Sequence, residues 1–443
     1  MNFGMKIEKK YLTAPLTAQL EITDFCNHRC LHCYNLDSKV ENRPIRKVSD
    51  ETVIACAQKL IDNKIFSVVV TGGEPLMKKE LTKKVISLFC ENNIRVNLNS
   101  NLTLFDDDFI AFLKQKKVGV LTSCPSAIPI SFEKLVGIDN YSKFETNVKK
   151  LLSVGVRFTT NMVVTKDNLH EVRITAEKMK ELGCSSFAAT PMALNMDYPR
   201  LDLLLSIEEV QGIIADLLWA KETLGLNIDI LEALPKCVFP EKVLTEKHSF
   251  LNRKCQAGRT VITVSCNGDV RPCAHNLVSY GNLLEEDFTT IWTNMSDWRS
   301  MQYIPTECKE CNWLNRCNGG CRTSAKTISG EWNSKEIWAT EPPKIQPPKD
   351  TKQIELILET QLQVNSDFRY RQEDEAAFVV YNVADDIYFM VNKTYYDFIV
   401  KFKGDDRFTF GDLLTRYDVD ADNKDFYNVI LFLVQMNIFK IIV

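Results

Sequence analysis

Short β-branched runs alternate with amphipathic stretches through the first half of the chain. Seven runs between residues 17 and 231 predict strands: TAQLEIT, IFSVVVT, IRVNLNS, VGVLTS, VRFTTNMVV, SSFAAT and LNIDIL. The stretches between them are long enough for three or more helical turns, and they include Asp50–Asn63, Leu81–Asn93, Tyr141–Val154 and Asn168–Leu182. Alternating strands and helices build parallel sheets. We therefore predict an α/β fold in the form of a full or partial β/α barrel.

The overall charge and the lack of long apolar segments argue against a protein that binds nucleic acid or a membrane. The chain has 443 residues, with 54 Lys and Arg against 58 Asp and Glu, so no basic excess would hold it on nucleic acid or on an anionic membrane. No stretch approaches the roughly 18 uninterrupted apolar residues of a membrane span, and the N-terminus has no apolar secretion segment. We expect a cytoplasmic protein.

The chain has fifteen cysteines, which would not persist as disulfides in the reducing cytoplasm, so metal ligation is their leading explanation.

Three cysteines follow the first predicted strand with the spacing CxxxCxxC, namely Cys26, Cys30 and Cys33. Barrel enzymes carry out their chemistry on the loops that follow the strands. Three thiolates on one short loop can hold three irons of a cubane iron–sulfur cluster and leave the fourth iron open to another ligand. Structural zinc is the alternative, with His28 or His32 as a further ligand.

A second motif, TGGEP at residues 71–75, follows the second predicted strand and should lie at the same face. Gly72 and Gly73 let the backbone approach a ligand closely, and Glu74 supplies an acceptor for an ammonium group. Taken alone, the motif is also compatible with a simple turn. The two motifs together resemble the radical S-adenosylmethionine (SAM) superfamily, in which a cluster loop and a GGE motif occur in this order and on these two strands.

This resemblance implies that the three loop cysteines hold a [4Fe–4S] cluster, that SAM chelates the fourth iron, and that Gly72, Gly73 and Glu74 contact its amino group. One electron, from a reductant such as a flavodoxin or ferredoxin, then cleaves SAM to a 5′-deoxyadenosyl radical. Further SAM contacts are implied near the cluster loop and at the ends of the middle strands, where this chain has Tyr34, Asn99, Ser100, Asn101, Ser123 and Asn161. Polar strand ends that cap the next helix are the alternative.

The cysteines from Cys255 to Cys321 form a second pattern. C-x12-G-x4-C is followed, after a gap, by C-x2-C-x5-C-x3-C, and Asn267-Gly268 predicts a two-residue hairpin turn. This pattern is similar to the SPASM extension of radical SAM enzymes, which binds two auxiliary iron–sulfur clusters and usually ends in one further cysteine. Structural zinc is again the alternative.

By this resemblance the auxiliary cysteines divide into two sets: Cys308, Cys311 and Cys317 on an outer cluster, and Cys255, Cys273 and Cys321 on an inner one. The chain would then hold three [4Fe–4S] clusters. No cysteine follows Cys321, so the outer cluster would have a non-cysteine ligand, an open iron or a ligand from a partner. Cys266 is either a ligand near the inner site or a buried structural cysteine.

The other cysteines divide into two groups. Four of them lie in helical or strand patterns beside apolar neighbours, where an unpaired cysteine behaves as a small hydrophobic residue: Cys56, Cys90, Cys184 and Cys237. We expect these to be core residues. Cys124 ends the strand VGVLTS at the expected catalytic face, so a role as hydrogen donor to a substrate radical is one interpretation and packing is the other.

The segment EPPKIQPPKD, at 341–350, has the composition of an extended linker. The residues after it predict three strands (FRYRQE, AAFVVYN, DIYFMVN) and three helices (Tyr395–Lys403, Thr409–Tyr417, Asp425–Met436), which is a small winged α/β unit. This part resembles the PqqD-like domains called RiPP recognition elements, which add the leader of a ribosomally made precursor peptide to a sheet edge. It departs from them at the acidic Glu373, Asp374 and Glu375. A winged-helix dimerisation module is the alternative.

We therefore expect four segments: a partial (β/α)6 radical SAM barrel at 1–235, a SPASM domain at 236–340, a linker at 341–352 and a peptide recognition domain at 353–443. Together they predict a radical SAM oxidoreductase that acts on a precursor peptide and installs an oxidative cross-link of the thioether, C–C or C–O type. A peptide epimerase and an anaerobic sulfatase-maturase-like enzyme are the enzymatic alternatives. An iron–sulfur electron carrier or scaffold is the non-enzymatic one.

Overall fold

The computed structural model describes residues 11–35, 48–348, 354–383, 387–402, 404 and 406–442. The chain divides into two compact units, residues 17–347 and a unit formed by the residues before and after that range. Among the described residues, no helix combines the length and apolar character needed to cross a membrane. Residues 341–347 of the expected linker belong to the first unit, where Trp313 Nε1 donates to the carbonyl of Ile345 at 2.7 Å. Residues 349–352 of that segment lie outside the described residues.

The first unit is built on a nine-stranded sheet of order β7-β6-β5-β4-β3-β2-β1-β8-β9. Its strands are β1 (Thr17–Glu21), β2 (Ser67–Thr71), β3 (Arg95–Ser100), β4 (Gly119–Ser123), β5 (Phe158–Val164), β6 (Ser186–Pro191), β7 (Asn227–Asp229), β8 (Val261–Val264) and β9 (Val270–Arg271). Strands β1 to β7 pair in parallel in chain order, and β8 pairs in parallel with the other side of β1. The predicted α/β fold and all seven predicted strands are confirmed.

Helices connect these strands, and shorter helices follow the parallel sheet. They are α1 (Asp50–Asp62), α2 (Lys79–Glu91), α3 (Asp107–Lys116), α4 (Pro129–Val136), α5 (Tyr141–Val154), α6 (Val172–Glu181), α7 (Ile207–Leu224), α8 (Glu241–Leu244), α9 (Phe288–Asn294), α10 (Ser296–Arg299), α11 (Leu314–Cys317) and α12 (Arg322–Ser329). Helix α6 begins four residues later than predicted. The side chain of Asn168 instead accepts from the backbone N–H of Thr165 at 2.7 Å and closes a turn before the helix.

Strand β1 occupies a central position because it has a strand on each side. Ala18 and Leu20 are fully buried, and the same strand pairs with β2 and with β8. Strands β8 and β9 form the predicted hairpin, with Gly268 at a φ of +93° in the connection. The connection spans residues 265–269 and is therefore longer than the predicted two-residue turn. The strand that leads to the first cysteine loop thus also anchors the cysteine-rich region.

The second unit contains two three-stranded antiparallel sheets of order β14-β10-β15 and β11-β12-β13. Its elements are β10 (Gln361–Val364), β11 (Phe368–Gln372), β12 (Ala377–Asn382), β13 (Ile387–Asn392), α13 (Lys393–Ile399), β14 (Arg407–Thr409), α14 (Phe410–Tyr417), α15 (Lys424–Gln435) and β15 (Phe439–Ile441). Three strands and three helices match the predicted patterns. Strands β10, β14 and β15 are additional, and with three or four residues each they are too short for an alternating pattern to stand out.

A buried ion pair holds the N-terminal segment against the C-terminal residues within the second unit. Arg371 and Glu373 lie 2.7 Å apart with almost no exposed side-chain surface. The guanidinium of Arg371 also donates to the carbonyls of Ala14 and Pro15, at 2.6 and 2.9 Å. Glu373 accepts from the backbone N–H and the hydroxyl of Thr13, at 2.5 and 2.8 Å. Strand β11 therefore holds a segment that lies more than 350 residues earlier in the chain.

Replacing Arg371 with Ala removes the cation that compensates the buried carboxylate of Glu373. We expect the second unit to lose about 3–5 kcal/mol of stability, because an uncompensated buried charge is costly. Hydrogen exchange of the β11 and β12 amides measures the loss as reduced protection. Lys393→Ala is the matched control, since it removes an exposed ion pair with Asp397, and it should cost less than about 1 kcal/mol. Equal losses in the two variants would contradict this account.

Candidate active site

The loop after β1 carries Cys26, Cys30 and Cys33, all partly exposed. Its backbone is tied to the end of α4, because the N–H of Arg29 donates to the carbonyl of Val136 at 2.7 Å and a second bond of 2.9 Å joins Leu31 to Leu135. A turn closes between the N–H of Cys33 and the carbonyl of Cys30 at 3.3 Å. The three thiols are thus displayed on a loop with a fixed backbone, at the end of a buried parallel strand.

Gly72 and Gly73 pack directly against the backbone that leads into this loop. The N–H of Gly73 donates to the carbonyl of Thr23, and the N–H of Glu74 donates to the carbonyl of Phe25, both at 2.7 Å. Gly72 has a φ of +146°, and a Cβ atom there would lie 2.5 Å from the Thr23 carbonyl oxygen. A Cβ atom on Gly73 would overlap the carbonyl oxygen of Phe25. The two glycines are therefore required by the close approach of the cysteine loop itself.

Glu74 joins the ends of β2 and β3. Its side chain is almost fully buried and accepts hydrogen bonds from the Ser100 hydroxyl at 2.7 Å, the N–H of Asn101 at 2.8 Å and the N–H of Leu76 at 3.2 Å. Burial raises the pKa of this carboxyl group to about 7. A carboxylate accepts about four hydrogen bonds, so one more donor can be accommodated. An ammonium group in that position would favour the ionised form.

Asn101 extends this network to the cysteine loop. Its amide nitrogen donates to the side-chain oxygen of Asn27 at 2.8 Å and lies 4.0 Å from the sulfur of Cys26. Asn27 in turn donates to the hydroxyl of Thr103 at 2.8 Å. Asn27 and Thr103 were not singled out from the sequence. The polar run NSN at the end of a strand was the only signal for this cluster.

Among the other polar residues implied as SAM contacts, Asn99 and Ser123 lie at the carboxyl ends of β3 and β4, and Asn161 lies in the middle of β5, in register with Ser123. Asn99 is partly buried in β3, and Ser123 is exposed at the end of β4 beside Asn161 of β5. The side-chain oxygen of Asn161 accepts from the hydroxyl of Thr190 at 2.7 Å, so it is engaged with β6. The structure brings Asn99 and Ser123 to the same edge of the sheet as the cysteine loop, because all these strands are parallel.

Cys124 has no exposed surface. Its sulfur lies 3.3 Å from the carbonyl oxygen of Ser126, and burial raises the pKa of the thiol. This placement supports the packing interpretation over the hydrogen-donor interpretation.

His28 is also buried, with its ring edge-on to Phe132 at a centroid distance of 6.3 Å. Its Nε2 atom lies 3.4 Å from the side-chain nitrogen of Asn140. His28 thus packs against α4 and the residue before α5, which favours a cluster held by the loop cysteines over a zinc site that uses this histidine.

Tyr34 lies between the cysteine loop and the cysteine-rich region. Its ring packs edge-on against His275 at 4.9 Å, and His275 follows Cys273 by two residues. Its hydroxyl interacts with Thr71, and burial raises its pKa. The backbone carbonyl accepts from Asn195 at 2.5 Å. Tyr34 therefore links the two groups of cysteines.

The inner cysteines lie close to one another. Burial, together with the neighbouring Cys255, raises the pKa of Cys273 to about 11. Burial also raises the pKa of Cys321, and the nearby Cys255 and Cys273 both contribute to this increase. Cys266 is buried near the end of β1, with its sulfur 3.5 Å from Asp24 Oδ1, and this placement supports the structural interpretation of that thiol.

The outer cysteines Cys308, Cys311 and Cys317 also form a group. Burial raises the pKa of Cys308 to about 11, with contributions from the other two. A backbone hydrogen bond of 3.1 Å joins Cys311 to Cys308, and the Cys317 sulfur accepts from the N–H of Lys236 at 3.4 Å. Hydrogen bonds from N–H groups to sulfur are characteristic of iron–sulfur sites.

Within the described residues, no group of three or more His, Cys, Asp or Glu side chains is arranged to hold a single metal ion. A [4Fe–4S] cubane takes each thiolate on a different iron, so its ligands stand further apart than those of one ion. The loops described above carry several nearby thiols and N–H donors, and they fit a cluster of that size.

Residues 20–179 match the radical SAM superfamily, and residues 255–318 match the iron–sulfur cluster-binding domain SPASM. The chain therefore contains a radical SAM domain followed by a SPASM domain. The first implies SAM and a [4Fe–4S] cluster. The second implies auxiliary iron–sulfur binding.

Two curated proteins with different functions are similar to this chain. The AdoMet-dependent heme synthase of Nitratidesulfovibrio vulgaris is 23% identical over 74% of this chain and 93% of its own length. The antilisterial bacteriocin subtilosin biosynthesis protein AlbA of Bacillus subtilis is 26% identical over 63% of this chain and 60% of its own length. Among solved structures, Streptococcus suis SuiB has a TM-score of 0.60 at 18% identity, over 74% of this chain and 78% of that chain, which shows a shared fold.

Replacing Gly73 with Ala should displace the cysteine loop, because the added methyl group overlaps the Phe25 carbonyl. A misplacement of about 1 Å can cost about 100-fold in rate, so we expect a loss of that order in 5′-deoxyadenosine formation. Iron analysis of the reconstituted protein should show a loss of up to about four irons, the content of one cubane.

Gly212→Ala is the matched control for this substitution. No atom lies within 4 Å of a Cβ placed at Gly212, which is inside α7. Alanine there should stabilise the helix by about 0.5–1 kcal/mol and leave iron content unchanged. Normal iron content and SAM cleavage in Gly73→Ala would show that the close approach of the two loops is not required.

Proposed function

We propose that the chain is a radical SAM maturase that removes a hydrogen atom from a ribosomally made precursor peptide and installs an oxidative cross-link of the thioether, C–C or C–O type. One observation carries the choice of a peptide substrate. In addition to the radical SAM and SPASM domains, the chain has a second unit with an edge strand, β13, that is suited to pairing with a peptide. The PqqD-like resemblance of this unit is part of the proposal.

Bound SAM would supply a carbon-centred radical after one-electron cleavage, with the electron coming from a flavodoxin or ferredoxin. In this proposal Cys26, Cys30 and Cys33 hold the cluster and leave one iron for SAM. Glu74 and the adjacent glycine backbone orient its amino group. Asn99, Ser100, Ser123, Asn161 and Tyr34 surround the rest of the cofactor pocket.

The SPASM cysteines would hold two auxiliary clusters, for three [4Fe–4S] clusters in the chain. Cross-linking removes two hydrogens from the peptide: one leaves as a hydrogen atom, and the other leaves as a proton and an electron when the new bond closes. The auxiliary clusters are the acceptors that we propose for that electron. Epimerisation would instead need a hydrogen donor. The complete burial of Cys124 therefore favours cross-linking.

Strand β13 forms one edge of the sheet β11-β12-β13, and in the described part of the chain it pairs with β12 alone. Ile387 and Tyr388, at its start, are 42% and 40% exposed. On the same strand, Phe389 packs edge-on against Phe432 of α15 at 5.2 Å. A peptide beside β13 would gain main-chain hydrogen bonds and would cover the exposed side chains, which is the mode of recognition by β-strand addition.

The acidic run at 373–375 does not disturb this sheet. Glu373 is paired with Arg371, and the Asp374 side chain accepts from the N–H groups of Ala376 and Ala377 at 2.9 and 2.8 Å. Side-chain hydrogen bonds thus close the turn between β11 and β12, where a glycine turn is common in PqqD-like domains. The departure from that pattern is therefore compatible with the proposed peptide-binding role.

Replacing Ile387 and Tyr388 together with Ala should weaken binding of the cognate leader peptide by about tenfold or more, because burial of each apolar side chain contributes about 1.5–3 kcal/mol at most. Fluorescence anisotropy with a fluorescently labelled leader peptide of the cognate precursor measures the affinity. SAM cleavage without peptide should not change, since the second unit contains no cysteine.

Leu358→Ala is the control, because Leu358 is 49% exposed in the same unit and lies outside the sheets. Its leader affinity should equal that of the wild type. Unchanged affinity in the β13 variant would contradict the edge-strand model and favour the dimerisation module.

The mass of the product separates cross-linking from epimerisation. We expect the modified peptide to have lost two hydrogens for each cross-link, as measured by mass spectrometry after reaction in D2O. An unaltered composition together with one deuterium at an α-carbon would show epimerisation and would overturn the proposed reaction.

A further inference from the structure

The outer cysteine group lacks one ligand. A [4Fe–4S] cluster that carries electrons is normally held by four cysteines, whereas Cys308, Cys311 and Cys317 supply three. No cysteine follows Cys321 in the sequence. Within this sequence, a further thiolate for this group would come from an earlier part of the chain.

Cys237 lies beside this group although it precedes it by about seventy residues. It is the middle residue of a short 3₁₀ turn, Lys236–Val238. The N–H of Lys236 donates to the sulfur of Cys317 at 3.4 Å, so this turn lies directly against the outer cysteines. The backbone that carries Cys237 therefore lies beside the outer cysteines.

The chain after Cys321 returns to the same turn. The N–H of Thr340 donates to the sulfur of Cys237 at 3.2 Å, and its hydroxyl donates to the Cys237 carbonyl at 2.6 Å. An N–H donor to sulfur favours the thiolate form that a metal binds. The chain after Cys321 thus returns to this turn without a cysteine of its own. There, Thr340 positions Cys237 through two hydrogen bonds.

Exposure separates Cys237 from two of the other cysteines expected in the core, although Cys90 is also partly exposed. Cys56 is fully buried and Cys184 nearly so, whereas Cys237 is partly exposed. The Lys236 side chain is buried and donates to the carbonyls of Arg253 and Phe250 at 2.7 and 3.3 Å. A buried lysine beside the group supplies positive charge, which stabilises a negatively charged cluster with its thiolates.

We propose that Cys237 is the fourth ligand of the outer auxiliary cluster, together with Cys308, Cys311 and Cys317. This inference rests on the auxiliary clusters of the proposed function. Under this proposal, the outer cluster has neither an open iron nor a non-cysteine ligand, and it needs no ligand from a partner. A cluster with four thiolates has no iron left for substrate, so its role is electron transfer.

The test uses full-length protein in which Cys26, Cys30 and Cys33 are Ala, so that only the auxiliary clusters remain. After anaerobic reconstitution, this parent should contain about eight irons in [4Fe–4S] form, by iron analysis and Mössbauer spectroscopy. Adding Cys237→Ala should convert the outer cluster to a [3Fe–4S] form with a loss of about one iron, or remove about four irons. Electron paramagnetic resonance of the oxidised protein detects the three-iron form.

Two further variants separate ligation from folding. Cys237→Ser should retain the cluster with an altered Mössbauer spectrum, because an alkoxide replaces the thiolate. Cys90→Ala, at a half-buried cysteine of α2, should leave both spectra and iron content unchanged. Added 2-mercaptoethanol should restore the four-iron spectrum of Cys237→Ala by supplying a thiolate.

Unchanged iron content and spectra in Cys237→Ala would overturn the inference, as would a parent protein that binds a single auxiliary cluster. Peptide modification is assayed separately, with wild-type protein and the cognate precursor. A failure there would bear on the proposed function and leave the ligand assignment standing.

Discussion

The contact between the two glycines after β2 and the backbone after β1 fixes the geometry of the candidate site. Gly73 and Glu74 each donate a 2.7 Å hydrogen bond to the segment that leads to Cys26. Only a residue without a Cβ allows the two loops to approach so closely. Glu74 then binds the start of the loop after β3, and Asn101 of that loop binds Asn27. Three consecutive strand ends are therefore held together by a chain of short contacts.

Strand β1 extends this arrangement to the auxiliary cysteines. Glu21, at its end, forms a buried ion pair of 2.5 Å with Arg271 of β9, two residues before Cys273. Tyr34 and His275 meet on the same side. Because the hairpin β8–β9 pairs with β1, the cysteine loop and the inner auxiliary cysteines are anchored to one strand.

Local sequence patterns predicted the parts of the structure that depend on local physics. The seven parallel strands, the hairpin and helices such as Tyr141–Val154 follow from periodicity and turn residues, and the cysteine spacings identified both domains. Contacts between distant segments have no local signature. Arg371 holding Ala14, Asn27 bound to Asn101, and Cys237 beside Cys317 all join residues that are at least seventy positions apart. The apolar neighbours of Cys237 in the sequence predict a core residue and carry no sign of its contact with the outer cysteines.

The central claim is that the loop of Cys26, Cys30 and Cys33 holds a cluster with an open iron at which SAM is cleaved. The most direct test is to incubate the anaerobically reconstituted wild-type protein with SAM and dithionite and to quantify 5′-deoxyadenosine by liquid chromatography. Our account predicts its formation with the wild type and its absence when the three cysteines are Ala. Intact SAM with a wild-type protein that carries its full complement of iron would contradict the account and would leave an electron carrier or scaffold in its place.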